Sequence, residues 1–501
     1  MGLVDSISCN SFDSICGGRH ALYALKIHKF FNKLKDSGAE LVFFTDGPIR
    51  VEKYPTWIKR LNNRYKISMH IIEDVDNGLE LSRIFRRNAA KMPRVTSIYD
   101  LIEDIARQHG ELTIATDAEC DTEIAEYASN NPAVLAVLAE DSDFLIFSGK
   151  WRYFSLRHIN QITLITYEYN RDALRLQLKL NDKELVCLSV IIENNLFESN
   201  NNFFPIDETY FNIAECVKLL NLSTFNFNED QIIKMLDSIA TPETKMKIKN
   251  SFAFYNTNFI KTDLSIVKPL IHKCLQHKMR FVYNVLSGQP VNFTLYYYDL
   301  SKEPISYYNL VIPLFKRKIG ILYNYRCHST IKYYVYSKLT HLHSYEKLTV
   351  NPIFPTQNVP PLEELLFGED DNALDQVRFN LLKEIIGTSM DVDLKAIPKN
   401  YLVDVLVLEF LVLNHVISIL EADIILISIT KVELGEFEEE IDYPSTLDKR
   451  AFRVSLLFAK IYSNINGAVE VVGLLKLKVR LVSFNHFLVT NLFYSTEKHK
   501  L

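Results

Sequence analysis

Three apolar runs in the first third of the chain each end in acidic residues. Leu41-Val-Phe-Phe-Thr leads to Asp46, Leu112-Thr-Ile-Ala-Thr to Asp117 and Glu119, and Val134-Leu-Ala-Val-Leu-Ala to Glu140, Asp141 and Asp143. Between them the pattern turns to a period near 3.6, which predicts helices over 21–35, 57–88 and 98–109. Another follows Asp117, with Cys120, Ile124, Ala125 and Tyr127 in period, and a further one spans 182–192. Short apolar strands alternating with helices predict an α/β domain whose parallel strands are buried on both faces. In such sheets the functional crevice lies at the carboxyl ends of the strands, so these carboxylates are expected on one edge.

The texture changes near residue 198, where Asn and Phe become frequent, and no glycine occurs between Gly149 and Gly288. Tyrosines crowd 294–346, including Tyr296-Tyr-Tyr298, Tyr307-Tyr308 and Tyr333-Tyr-Val-Tyr336; they read as half-buried strand side chains or, alternatively, as base-stacking surfaces. Prolines 352, 355, 360 and 361 and an acidic run mark 351–372 as a linker. The expected domains are therefore 1–197 (α/β), 198–350 (helical, then tyrosine-rich), 351–372 (linker) and 373–501 (mainly helical). The apolar stretch 401–430 is interrupted by Asp404, Glu409, Asn414, His415, Glu421 and Asp423, which predicts helices buried in a core and no membrane span.

At 501 residues with 48% hydrophobic and 23% charged, the chain is expected to bury a large core. The net charge of −5 gives no global pull toward nucleic acid, so any such surface is local. The seven cysteines are scattered without a CxxC pair, which argues against a disulfide framework or structural zinc and for cytosol or nucleus. No basic-then-apolar segment opens the sequence, so secretion is not expected.

Clustered carboxylates repel unless protonated or bridged by cations, and hard oxygen ligands on a sheet edge suit Mg²⁺ or Mn²⁺. Asp46, Asp117, Glu119, Asp141 and Asp143 are the candidate metal ligands. Each group also has a plainer reading. Thr116-Asp-Ala-Glu119 matches a helix capping box, Glu140–Asp143 a solvated loop, and Asp46-Gly-Pro an ordinary turn. Between Asp46 and Asp117 runs a basic stretch in which Arg60, Arg64, Arg83, Arg86 and Arg87 are candidate phosphate contacts for RNA or DNA; the alternative is a solvated helix face.

DAECDTEIAEYA followed by VLAVLAEDSDFLIF resembles the internal nuclease segment of the flap-endonuclease (PIN-like) superfamily. Within it, Ser14-Ile-Cys-Gly-Gly18, LVFFTDG, Trp57-Ile-Lys-Arg60 and Leu188-Ser-Val-Ile-Ile-Glu-Asn-Asn-Leu-Phe197 resemble the family of the constitutive coactivator of peroxisome proliferator-activated receptor gamma, relatives of asteroid. The resemblance covers about residues 1–200. It implies a PIN-like fold, metal ligands at Asp46, Asp117, Glu119, Asp141 and Asp143, and roles in transcriptional coactivation or RNA binding. Two positions depart from active relatives. Asn195 stands where those carry an Asp, with Glu193 at their glycine. Only sixteen residues precede Gly17, with Val4-Asp5 at the place of a strand that ends in Asp, as a shortened sequence would leave it. The glycine-free stretch 150–287 also argues against the tight, glycine-favouring turn of a duplex-gripping helical hairpin. The leading expectation is a catalytically degenerate nuclease fold serving as a coactivator or RNA-binding regulator, with transcription-factor or other protein partners. The alternatives are an active Mg²⁺- or Mn²⁺-dependent structure-specific nuclease and a protein-interaction scaffold.

Overall fold

A computed structural model describes residue 15 and residues 18–47, 49–50, 53–88, 98–192, 242–257, 268–289, 291–292, 307–324, 333–337, 346–369, 371–388, 394–435 and 444–477. Val4, Asp5, Glu193, Asn195 and Tyr296–Tyr298 lie outside these residues. The chain divides into two compact units. The first comprises 1–8, 32–47 and 109–262; the second comprises 9–31, 48–108 and 263–501. Residues 48–108, grouped by sequence within 1–197, thus belong to the second unit.

In the first unit, β1 (Val42–Thr45) and β2 (Glu111–Ile114) pair in parallel, Val42 opposite Glu111 through Thr45 opposite Ile114. The Ala115 N–H donates to the Thr45 carbonyl and carries the ladder one residue further. Then come α1 (Cys120–Asn130), β3 (Ala136–Ala139), β4 (Arg152–Ser155), the short β5 (Glu168–Tyr169), α2 (Arg171–Leu178), α3 (Asp182–Ile192) and α4 (Pro242–Phe254). β3 and β4 are parallel, and β5 runs antiparallel to β4. The alternation of short parallel strands with helices is thus as the hydrophobic pattern predicts. The strands differ from the expectation in burial. β1 and β2 are largely half-exposed, and among the described residues the five short strands of this unit fall into two small sheets rather than one sheet covered on both faces. Strands of two to four residues leave too little apolar surface for a fully covered layer. The core lies instead under α1 and β3, where Ala125, Ala128, Val137, Phe144, Phe147, Trp151, Tyr153 and Tyr255 pack together.

The second unit is mainly helical. The predicted helix over 57–88 is two helices, Tyr54–Asp76 and Leu81–Asn88, separated at Asn77-Gly78, where Gly78 adopts φ +66. Their inner faces pack with the Lys449–Val471 helix in a cluster of Ile71, Ile72, Val75, Leu81, Ile84, Phe452 and Leu456. The helix Lys449–Val471 also packs against Leu402–Leu413, Tyr307–Leu322, Arg280–Leu286 and Asn372–Ile386. The apolar stretch 401–430 is divided between Leu402–Leu413 and Ile419–Glu433. Among the described residues no helix is long and apolar enough to cross a membrane. Residues 351–372, expected as a linker, contain the helix Leu362–Phe367, whose Leu365 and Leu366 are buried. In the tyrosine-rich region β6 (Val291–Asn292) pairs in parallel with β7 (Tyr333–Ser337), which runs antiparallel to β8 (Glu346–Val350).

Candidate metal centre

Helix α1 starts one residue after Glu119, which takes an extended conformation and uses no side-chain capping bond. The capping box at Thr116 therefore does not form. Glu123 performs the corresponding task from inside the helix. Its buried carboxylate accepts the backbone N–H groups of Asp117 and Ala118, each at 2.8 Å. Two charge-assisted bonds of this kind hold the 117–118 loop against the first turn of α1.

That first turn carries Asp121, and β3 leads into Asp141 and Asp143. Ligand oxygens of Asp121, Asp141 and Asp143 lie within 4.8 Å of one another. Asp141 opens a short 3₁₀ turn, Ser142–Leu145, and its Oδ1 accepts the Asp143 N–H at 3.2 Å. Asp143 Oδ1 accepts the Tyr255 hydroxyl at 2.9 Å. Burial, reinforced by the charges of Asp141, Asp143 and Asp46, pushes the Asp121 carboxyl up to about 7. Near neutral pH the group is therefore close to its midpoint, and a cation at this position would relieve the repulsion among the carboxylates. Burial, then the charges of Asp46 and Asp121, push the adjacent Cys120 thiol far up, so it remains a thiol and offers no thiolate ligand.

Three carboxylates without sulfur or imidazole form a hard donor set. An ion held about 2.0–2.6 Å from each oxygen is compatible with their spacing. The residues present thus fit Mg²⁺ or Mn²⁺, with Asp121, Asp141 and Asp143 as the side chains that would hold it.

Of the five ligands expected from sequence, Asp141 and Asp143 come together. Asp46 is exposed just beyond β1 and acts on Asp121 through its charge. Asp117 and Glu119 precede α1 and fall outside the group that gathers among the described residues. Asp121 was not among the sequence candidates. Its signal was helical spacing. Ala125 and Ala128, four and seven residues on, are the core-facing side of α1, and Asp121 shares that side one turn earlier.

The candidate nucleic-acid contacts lie in the second unit. Arg60 and Arg64 are exposed one turn apart on Tyr54–Asp76, and Arg83, Arg86 and Arg87 are exposed on Leu81–Asn88. Arg87 bonds the buried carboxylate of Asp74 at 2.6 Å, so its charge already serves a structural pair.

These features define an α/β protein with a carboxylate cluster at a strand end and a separate helical unit. Over 209 residues the chain is 27% identical to the human protein named constitutive coactivator of peroxisome proliferator-activated receptor gamma. The match covers 39% of this chain and 21% of that relative, so the chain spans about a fifth of the relative's length. The resemblance read from the sequence motifs is therefore found as measurable similarity to that protein. No family model and no solved structure matches the chain.

Proposed function

We propose that this chain is a regulatory protein of the coactivator type, with protein partners such as transcription factors, in which a PIN-like nuclease unit serves binding rather than cleavage. Similarity to a named coactivator supports the first half of this reading. The observation that carries the second is the make-up of the carboxylate group. Phosphodiester hydrolysis by two cations needs ligands for both ions. Three carboxylates gather here, while Asp117 and Glu119 stand outside the group. Asn195, at the place where active relatives carry an Asp, supplies one carbonyl oxygen and no charge. The set suits a single Mg²⁺ or Mn²⁺ that ties α1 to the end of β3. Residence in the nucleus follows from a coactivator role.

The test has two arms. Purified protein is incubated with labelled single-stranded RNA and flap DNA in Mn²⁺ or EDTA, beside an Asp141→Ala/Asp143→Ala variant. The same two proteins are tethered to a promoter in a reporter assay. Reporter activation without metal-dependent cleavage is the expected result. Mn²⁺-dependent cleavage that the double variant loses would overturn it and establish the nuclease alternative.

A second reading, RNA binding, is favoured by the exposed guanidinium groups of Arg60, Arg64, Arg83 and Arg86 on two consecutive helices. It requires binding that weakens steeply with salt.

A further inference from the structure

The segment that closes α4 lies beyond the residues, about 1–200, that resemble the coactivator family, yet it reaches the carboxylate group at two points. The Tyr255 hydroxyl donates to Asp143 Oδ1 at 2.9 Å. The Thr122 hydroxyl, one residue after Asp121, donates to the Phe254 carbonyl at 2.9 Å. Phe147, which closes the turn that carries Asp143, packs in tilted ring contacts against both Phe254 (5.4 Å) and Tyr255 (5.3 Å). Tyr255 is itself buried among Ala125, Phe144 and Phe147, so its hydroxyl is delivered by the core and not by a mobile surface arm. Helix α4 is held in turn against α3.

We propose that Tyr255 is the positioning residue of the divalent-cation site, and that the site reaches full affinity only with residues 242–257 docked. This rests on the reading above that Asp121, Asp141 and Asp143 hold a cation. The geometry gives the reason. A carboxylate free to rotate spends little time in the one orientation that a cation needs. The phenol holds Asp143 Oδ1 with a charge-assisted bond and so keeps that carboxylate in one orientation. The Thr122–Phe254 bond does the same for the turn that carries Asp121. Partners of this kind set metal affinity although they never touch the ion. By linkage, whatever the docked segment adds to cation affinity the cation returns as stability of the docked segment.

The experiment uses the full chain and Mn²⁺ as probe. Binding is followed by the electron paramagnetic resonance signal of free Mn²⁺ for the unaltered protein, Tyr255→Phe, Thr122→Val and Asp143→Asn. Amide hydrogen exchange over 242–257 is measured with and without Mn²⁺. Tyr255→Phe keeps the ring and its packing and removes the donor alone. The expected result is affinity weakened about 10–100-fold in Tyr255→Phe, with Mn²⁺ slowing exchange over 242–257 in the unaltered protein. Equal affinity in the unaltered protein and Tyr255→Phe, with exchange over 242–257 indifferent to Mn²⁺, would overturn this inference and leave the cation site standing. Failure of the unaltered protein to bind Mn²⁺ would overturn both. The exchange arm needs no variant and stands even where a substitution impairs folding.

Discussion

Gly47 follows Asp46 where β1 ends, and a Cβ on it would run into the carbonyl of Ala115, the residue whose N–H extends the β1–β2 ladder. Gly47→Ala should therefore push the strand ends apart beside Asp46 and lower stability by about 1–3 kcal/mol, measured by urea unfolding. Glu123 offers a second residue-scale test. Removing its carboxylate in Glu123→Ala leaves the Asp117 and Ala118 N–H groups without their acceptor, at a cost of about 1–3 kcal/mol. Two buried charges of the helical unit set opposite pH trends. Burial, with the nearby charge of Glu433, pushes the Asp404 carboxyl up to about 8, and burial, then the charges of Asp404 and Glu433, raises the Tyr462 phenol well above its ordinary value. The folded state then keeps a proton that the unfolded chain releases near pH 4, so stability falls as pH rises from about 4 to 8. Lys318 lies on the apolar stripe of Val311, Phe315 and Leu322. It is fully buried, over the Phe281 ring at 4.1 Å and bonded to the Asn464 carbonyl at 3.2 Å. Burial, opposed by Glu470, pushes it down to about 7. The unfolded chain there binds the extra proton, so Lys318 makes stability rise from about pH 7 toward 10. Asp404→Asn should abolish most of the fall between pH 4 and 8, worth a few kcal/mol, and Lys318→Met most of the rise above 7, both read from denaturant midpoints across pH.

At the scale of elements, caps and breaks decide where the apolar pattern is cut. The run 401–430 is apolar enough for one long helix, yet it divides at 414–418, where His415 takes φ 55. Ser418 restarts the chain as a helix through a complete capping box. Its hydroxyl accepts the Glu421 N–H, and the Glu421 carboxylate accepts the Ser418 N–H. Arg450 then grips Glu421 at 2.7 and 3.2 Å and the Val416 carbonyl at 2.6 Å, fastening the break to the helix Lys449–Val471. Ser418→Ala should cost about 1 kcal/mol, seen as a lower urea midpoint with an unchanged slope. The second break, at Asn77-Gly78, was readable in principle. Gly78 at positive φ and the polar pair end one amphipathic pattern before Leu81 begins the next.

At the scale of the molecule, the proposed cation would be held by Asp121, Asp141 and Asp143 in the folded first unit and not in the unfolded chain. Mn²⁺ at about one hundred times its dissociation constant should add about 2.7 kcal/mol of stability. Thermal unfolding with Mn²⁺ or EDTA checks this. The upward shift should vanish in Asp141→Ala/Asp143→Ala, and a shift that persists there would place the ion elsewhere.

The hydrophobic pattern by itself determined the alternation of strands and helices in residues 21–192, the helical character of the C-terminal part, and the arrival of Asp46, Asp141 and Asp143 at strand ends. These are local matters, because side-chain period and the acids that follow an apolar run are written along the chain. Tertiary structure alone decided which carboxylates meet. Asp117 and Glu119 sit on a loop that Glu123 holds against the helix, whereas Asp121 lies in the first turn of α1 on its inward side, toward Asp141 and Asp143. It also decided that Tyr255, more than one hundred residues away in sequence, donates a hydrogen bond to Asp143. Such choices depend on distances between side chains of separate elements, and those are fixed only when the elements pack.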